Sequence, residues 1–291
     1  MNIADLFEEG KTIFYFEVFP PKKESGIETV YDTIEKLTDL KPDFISVTYG
    51  AGGSGVTNPI TKDICSKIKN EYKLETIAHL SCINNTKDEI DKILEELKKE
   101  GIDNILALRG DRVEGLEPKK DFTYASDLTK YIMDKGGFHV SGACYPEVHM
   151  EAKDAVDDIK NLKKKVDAGA DHLISQLFFD NRVFYDFLER ARIADINVPI
   201  EAGIMPVTSK SQIERMVTMC GASIPASLSR IMQRYESNPE ALRDAGIAYA
   251  INQIIDLAAN GVDGVHIYTM NNPYVARKIT EGVESVVKHN R

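Results

Sequence analysis

A single carboxylate, Glu17, lies between apolar neighbours in the segment FEVFPPK at residues 16–22. Pro20 and Pro21 follow it and cannot donate hydrogen bonds to a sheet, so a strand predicted over residues 12–19 ends there. Burial among apolar side chains disfavours the charged form of a carboxyl group and raises its pKa, which would suit Glu17 for general acid catalysis. A solvated carboxylate at a strand end is the alternative, and this segment alone does not separate the two.

Other polar residues interrupt short apolar runs at comparable places. A strand that is buried on both faces is nearly continuous in apolar residues, so each polar interruption needs a partner or a ligand. These residues are Thr48 and Tyr49 at the end of the second run, His79, Arg109-Gly110-Asp111, Tyr145, His149, Gln176 and Tyr268. A local surface ion pair is the commoner meaning of the arginine and aspartate around Gly110.

The segment YPEVH at residues 145–149 precedes a predicted helix that carries Asp158, Asn161 and Lys165. Residues three or four positions apart share one face of a helix. Together these three side chains could hydrogen-bond a ribose and pair with a phosphate. A solvated charged face is the alternative interpretation.

The loop GAGGSG at residues 50–55 has the spacing GxGxxG after a predicted strand. A dinucleotide-binding Rossmann unit also needs an acidic residue about 20 positions further on, at the end of the next strand. That strand ends here in Leu80-Ser81-Cys82, without an acid. The glycines are better explained by a loop whose backbone approaches a planar ligand, with a plain flexible loop as the alternative.

Several classes of function are disfavoured by composition and by missing motifs. The formal charge of −10 disfavours nucleic acid and anionic lipid as partners. The four cysteines form no CxxC pair, and neither His79 nor His149 has a second ligand at metal-binding spacing, so we expect no disulfide framework and no metal site. No signal segment or membrane-length apolar run is evident, and a reducing cytoplasm is the expected location.

Short β-branched or aromatic runs alternate with amphipathic helical stretches along the chain. Eight strands in this alternation predict a single (β/α)8 TIM-type barrel over residues 1–291, in which catalytic groups stand at the carboxyl ends of strands. The interval at 206–262 is longer and predicts extra helices between strands seven and eight, near 209–219, 225–235 and 239–260. The predicted strands are 12–19, 43–49, 75–82, 104–110, 138–144, 172–179, 198–205 and 264–270.

Ten motifs taken together resemble the short, bacterial-type members of the methylenetetrahydrofolate reductase family. The motifs, in order, are FEVFPPK, SVTYGAGGS, AHLSC, LALRGD, YASDL, YPEVH, LKKKVDAGAD, QLFFD, GIMPV and HIYTMN. The resemblance covers nearly the whole chain. It implies an FAD-dependent barrel without a regulatory domain, which reduces 5,10-methylenetetrahydrofolate to 5-methyltetrahydrofolate.

The resemblance also implies roles for individual residues. Glu17 and Asp111 match the catalytic acids, Glu17 as the proton donor to N10 of the folate. Folate contacts match Glu17, Asp111, Gln176, Gln212 and Tyr268. Positions that hold FAD in the family match Thr48, Tyr49, Ala51, His79, Arg109, Gly110, Asp111, Ala125, Tyr145, His149, Ala152, Asp158, Asn161, Lys164 and Lys165.

By the same resemblance, NAD(P)H and folate use the flavin in turn, in a ping-pong scheme, and the enzyme is a cytoplasmic homo-oligomer. Two residues depart from the family pattern. Asn272 stands where an arginine commonly binds the glutamate tail of folate. Either Arg277 makes this contact instead, or the tail is bound more weakly. Lys164 stands where an arginine is common, which would exchange a bidentate phosphate contact for a point charge.

Two other functions stay open at this level. One is a flavin- or folate-binding subunit that works only with a redox partner, for example a ferredoxin-type donor, and it is motivated by Asn272. The other is a pterin-binding barrel methyltransferase, which would need neither flavin nor Glu17. The choice between NADH and NADPH is not readable from the residues.

Overall fold

The computed structural model describes residues 1–8, 11–21, 23–49, 59–112, 115 and 117–289. Eight parallel strands follow one another in chain order and close into a barrel, which confirms the predicted (β/α)8 fold. The strands are β1 (Ile13–Val18), β2 (Phe44–Val47), β3 (Glu75–Ser81), β4 (Asn104–Leu108), β5 (His139–Cys144), β6 (Ala170–Ser175), β7 (Ile200–Ile204) and β8 (Gly264–Tyr268).

Helices follow the strands as the alternating pattern predicts. They are α1 (Ile27–Thr38), α2 (Pro59–Asn70), α3 (Lys87–Lys99), α4 (Ala125–Lys135), α5 (Ala155–Asp167), α6 (Asn181–Ile193), α7 (Lys210–Cys220), α8 (Ala226–Tyr235), α9 (Pro239–Ala259) and α10 (Pro273–His289). Three helices, α7, α8 and α9, lie between strands seven and eight, where a regular barrel has one, which confirms the expected extra helices.

Helix α3 shows how local sequence sets an element. Its N-cap is Thr86, whose hydroxyl accepts from the backbone N–H of Glu89 while the Glu89 carboxylate accepts from the backbone of Thr86, a capping box. Ile90, Leu94 and Leu97 lie on one face and are buried. The chain leaves the helix at Gly101, whose φ of +73° favours glycine. Thr86 and Glu89 are three positions apart, so this capping box is set by the local sequence alone.

Strand register places Glu17 and His79 on a common face of the sheet. Glu17 lies opposite Ser46 on β2, and Ser46 lies opposite Ile77 on β3. Residues opposite one another in register point to the same face, and so do residues two positions apart in one strand. His79 is two residues beyond Ile77, so its side chain shares the face of Glu17.

Seven of the eight strands end one to four residues earlier than the predicted ranges, and several of these differences move predicted site residues out of their strands. Strand β6 ends at Ser175, so Gln176 follows the strand although the prediction placed it inside, and β2 ends at Val47, before Thr48 and Tyr49. The physical reason at β6 is a turn: the Gln176 side-chain oxygen accepts from the N–H of Leu177 at 2.9 Å. The apolar residues beyond it pack under the extra helices, in a buried cluster with Met205 and Ile213.

Backbone contacts divide the chain into two compact units, each made of several chain segments. Unit 1 contains residues 1–6, 15–143 and 164–173, and unit 2 contains residues 7–14, 144–163 and 174–291. Unit 1 holds β2, β3, β4 and their helices, and unit 2 holds β7, β8 and helices α6 to α10. A single domain over residues 1–291 stays a prediction.

The four cysteines of the chain are free thiols. Within the described ranges, no three His, Cys, Asp or Glu side chains are grouped so that they could hold a metal ion. None of the helices listed above combines the length and the apolar composition needed to cross a bilayer, as far as the described residues extend.

Candidate active site

Glu17 of β1 and His79 of β3 face each other in unit 1. The Glu17 carboxylate Oε2 lies 3.7 Å from Nε2 of His79, and the two side chains are only 15% and 6% exposed. Phe16 and Val18, the neighbours of Glu17, are fully buried. The structure thus places a mostly buried carboxyl group beside an imidazole near the carboxyl ends of two strands, which favours the buried over the solvated alternative for Glu17.

Two buried hydroxyl groups accompany this pair on β2. Ser46 Oγ and Thr48 Oγ1 are both inaccessible to solvent and have no hydrogen-bond partner within the described part of the chain. The Thr48 backbone is held on both sides, since its N–H donates to Val18 O at 3.0 Å and its carbonyl accepts from Thr61 Oγ1 at 2.9 Å. A buried hydroxyl without a partner is costly, so these groups are suited to contact a ligand.

Asn85 contacts Tyr49 and was not among the predicted site residues. Its Nδ2 group donates to the carbonyl of Ser81 at 2.8 Å and to the Tyr49 hydroxyl at 3.2 Å, and the side chain is buried. The sequence NNT before α3 looks only like a helix start, which is why the signal was missed. The contact spans 36 positions and depends on the tertiary fold.

The turn after β4 is built around Gly110. Its φ is +87°, and an added Cβ would lie 3.0 Å from Cβ of Ser81 and 3.2 Å from Cγ2 of Ile83. The preceding carbonyl, of Arg109, accepts from the N–H of Ile83 at 2.8 Å. Glycine is therefore required for backbone shape and for close approach at this turn. Asp111, which follows, is exposed to solvent.

Cys82, at the same end of β3, is not a nucleophile. Burial, with Asp127 nearby, raises the pKa of its thiol to about 12. Its Sγ donates to the carbonyls of Arg109 and Tyr124, each at 3.7 Å. Because only the thiolate attacks, this group stays inert at neutral pH. The neighbouring Ala125, predicted to contact FAD, is buried at the first position of α4.

A cavity of about 260 Å³ opens beside these residues in unit 1. Tyr49 and His79 line it together with side chains of α2 and α3, among them Thr61 and Ile93. Ala51 and the rest of the glycine loop lie outside the described residues, so its predicted role has no structural account.

In unit 2, the YPEVH segment folds into a tight turn. The rings of Tyr145 and His149 meet edge to face, with centroids 4.5 Å apart. His149 Nδ1 accepts from the N–H of Glu151 at 3.1 Å, and its carbonyl accepts from the N–H of Ala152 at 2.8 Å. Because Nδ1 is the acceptor, the neutral imidazole carries its proton on Nε2.

Some of the residues of unit 2 that are predicted to bind folate are fixed by hydrogen bonds. The Tyr268 hydroxyl donates to the carbonyl of Ser175 at 2.9 Å, and Gln176 sits beside that carbonyl in the chain. Gln212 is half-buried on α7. Asn272 accepts from the N–H of Val275 at 3.2 Å and so caps α10, while Arg277 is exposed on that helix.

Helix α5 carries the predicted ribose and phosphate contacts. Asn161 donates to Asp157 at 3.3 Å, and the N–H of Asp158 donates to the carbonyl of Asp154 in the first turn. Lys165 Nζ donates to the carbonyl of Ala143 at 2.6 Å, whereas Lys164 is exposed. The two lysines therefore differ: the ammonium group of Lys165 donates to a backbone carbonyl on β5, and Lys164 lies on the exposed side of the helix.

Comparison with known proteins places this sequence among folate enzymes. The family model for methylenetetrahydrofolate reductase matches residues 2–284. Methylenetetrahydrofolate reductase (NADH) 1 of Arabidopsis thaliana is 38% identical over 285 residues, 93% of this chain and 48% of that protein. The 5,10-methylenetetrahydrofolate reductase of Escherichia coli K12 is 39% identical over 263 residues, 90% of this chain and 88% of that protein. The chain thus spans about half the length of the plant relatives it matches.

Solved structures show the same fold at low sequence identity. An uncharacterized protein from Clostridium thermocellum, described as binding two copies of 5-methyl-5,6,7,8-tetrahydrofolic acid, matches with a TM-score of 0.68 at 17% identity and 98% coverage of both chains. Tryptophan synthase from M. tuberculosis matches with a TM-score of 0.56 at 10% identity. Likeness at this identity supports the barrel fold alone.

Proposed function

This chain belongs to the methylenetetrahydrofolate reductase family, and from that premise we propose that it reduces 5,10-methylenetetrahydrofolate to 5-methyltetrahydrofolate with FAD as cofactor and NAD(P)H as electron donor. The observation that carries the proposal is the mostly buried carboxyl group of Glu17 beside His79, at the ends of β1 and β3. A methyltransferase that only binds the pterin would have no need for this acid.

The residues of unit 1 fit a flavin by their chemistry. Thr48 offers a buried hydroxyl with no partner inside the described ranges, and Gly110 keeps the turn after β4 free of a side chain. Tyr49 is oriented by Asn85, and Arg109 supplies a cation to the same region. In this proposal Thr48, Tyr49, His79, Arg109 and Gly110 hold FAD. Bound FAD would supply hydride transfer between the nicotinamide and the folate.

Glu17 supplies the proton that the folate needs. The five-membered ring of the substrate opens when N10 leaves its bridging carbon, and protonation of N10 makes it a better leaving group. The carboxyl of Glu17 donates that proton, and ring opening leaves a cationic N5 iminium. The resulting Glu17 carboxylate then stabilises that positive charge in a site with little water.

His79 holds the carboxyl group in place for this step. Its Nε2 lies 3.7 Å from Glu17 Oε2, so a small approach would bring the two within hydrogen-bond distance. Both groups lie on the same face of the sheet, on strands β1 and β3, and a site built on strands is positioned more accurately than one on loops.

The decisive experiment is a visible spectrum of the purified protein followed by anaerobic titration. We expect bound flavin absorption that bleaches with NADH or NADPH and returns when 5,10-methylenetetrahydrofolate is added, with 5-methyltetrahydrofolate as product. Folded protein that takes up no FAD would refute the proposal. Flavin that bleaches only with an added redox protein would instead support the alternative function, a subunit that is active only inside a larger redox complex.

A further inference from the structure

Ser175, the last residue of β6, is the centre of a hydrogen-bonded group in unit 2. Its Oγ accepts from the backbone N–H of Gly203 on β7 at 2.9 Å and donates to the carbonyl of Gln176 at 3.0 Å. Its own carbonyl accepts from the Tyr268 hydroxyl at 2.9 Å. The Ser175 side chain is 1% exposed, so water does not compete for these bonds.

At the end of the sheet, the Ser175 hydroxyl takes the place of a backbone carbonyl as a hydrogen-bond acceptor. Backbone N–H groups of a parallel strand ordinarily donate to carbonyl groups of the neighbouring strand. The N–H of Gly203 donates to the Ser175 side chain instead. The carbonyl of Ser175 is therefore available to the Tyr268 hydroxyl, which lies 93 positions away in the chain.

Gly203 provides the space in which the Tyr268 ring lies. A Cβ added at Gly203 would be 2.9 Å from Cε2 and 3.0 Å from the hydroxyl oxygen of Tyr268, and it would overlap the carbonyl oxygen of Ser175. The ring thus lies directly over the glycine backbone. The absence of a side chain at Gly203 and the hydrogen bond to the Ser175 carbonyl together define the position of the Tyr268 ring.

Gln176 is oriented by the same turn. Its N–H donates to the carbonyl of Cys144 at 2.7 Å, and its side-chain oxygen accepts from the N–H of Leu177 at 2.9 Å. With the oxygen engaged, the side-chain NH2 group is the donor that Gln176 presents. Ser175 contacts both predicted folate residues, since its Oγ donates to the backbone carbonyl of Gln176 and its own carbonyl accepts from the Tyr268 hydroxyl.

We propose that Ser175 is a positioning residue for folate, which sets the Tyr268 hydroxyl and the Gln176 backbone without touching the substrate. This inference rests on the proposed function, since it assumes that Tyr268 and Gln176 contact folate. Without the hydroxyl, the buried N–H of Gly203 must find another acceptor. The Ser175 carbonyl lies beside Gly203, where it would overlap a Cβ added there, and turning toward the Gly203 N–H would draw it away from Tyr268.

The test is isothermal titration calorimetry of the purified holoenzyme with 5-methyltetrahydrofolate. Ser175→Ala and Tyr268→Phe should each raise the Kd roughly five- to tenfold, the effect of losing about one hydrogen bond. Because both changes break the same contact, the double variant should bind no more than about twofold worse than the weaker-binding single variant. Ser175→Thr, which retains the hydroxyl, should bind as the wild type does.

Thermal unfolding of every variant separates positioning from general stability. A Ser175→Ala protein that unfolds at a lower temperature but binds folate with unchanged Kd would overturn the proposal, and so would losses that multiply in the double variant. If Ser175→Ala does not fold, Ser175→Cys gives the same comparison, because it keeps the volume with a weak acceptor. Wild-type protein that binds no folate would overturn the proposed function together with this inference.

Discussion

At the residue scale, the site depends on a few polar side chains that the fold keeps from water. Glu17 is flanked by buried Phe16 and Val18 and lies 3.7 Å from His79. Thr48 and Ser46 add buried hydroxyl groups in the same unit. The two hydroxyl groups would be costly in an apolar core without a partner or a ligand, and polar groups at the carboxyl ends of strands are typical of barrel enzymes.

The role of Glu17 predicts a selective loss in one half-reaction. Glu17→Gln removes the proton donor but keeps the size and shape of the side chain, so the rate of folate reduction should fall roughly 10²- to 10⁴-fold. Flavin reduction by NAD(P)H needs no proton from Glu17 and should stay within about threefold. Anaerobic stopped-flow measurement of the two half-reactions checks this, and an equal loss in both would contradict the assigned role.

At the element scale, helix α9 packs against the chain just beyond β7. Gly246 is buried in the middle of α9, and a Cβ added there would overlap the carbonyl oxygen of Val207 and lie 2.7 Å from its carbonyl carbon. Backbone atoms cannot rotate away as a side chain can. The close approach of the helix to Val207 therefore requires glycine, although glycine in a helix interior is ordinarily unfavourable.

Two glycine-to-alanine changes test this packing. Gly246→Ala should lower the free energy of unfolding by roughly 3 kcal/mol, because the helix must move off the backbone of Val207. Gly282→Ala in α10 is the matched control, since its added Cβ would meet only the side chain of Ile251, 2.6 Å from Cδ1. The control should change stability by less than about 1 kcal/mol. Urea denaturation measures the free energy of unfolding of both variants. A Gly246→Ala protein as stable as the control would show that the close approach of α9 to Val207 does not require glycine.

At the scale of the whole molecule, barrel closure pairs every strand with a neighbour on each side. A closed sheet has no open edge that could pair with another chain. It also carries the ends of eight strands on one continuous scaffold, so binding of a large cofactor is expected to stabilise the fold as a whole.

Cofactor binding should therefore raise the unfolding temperature. FAD added to flavin-free protein at about 100 times its Kd should add roughly 2.7 kcal/mol to the free energy of unfolding. For a chain of this size, that corresponds to a rise in Tm of roughly 4–5 °C. Differential scanning calorimetry checks the shift, with riboflavin at the same concentration as the control for the missing adenosine and phosphates. An unchanged Tm would contradict the FAD assignment.

The sequence by itself determined the order and type of the elements. Strand and helix periodicity are local properties, so the eight strands, the three helices between strands seven and eight and the capping box at Thr86 and Glu89 could be predicted from neighbouring residues. Glu17 was also predictable, because a lone carboxylate in an apolar run is unusual on local grounds. The set of ordered motifs pointed to the family by resemblance.

Only the tertiary structure decided which distant residues meet. The contacts of Asn85 with Tyr49, of Ser175 with Gly203, and of Tyr268 with the Ser175 carbonyl join residues 36, 28 and 93 positions apart. No local pattern encodes such pairs, because they follow from strand register and from the turns after the strands.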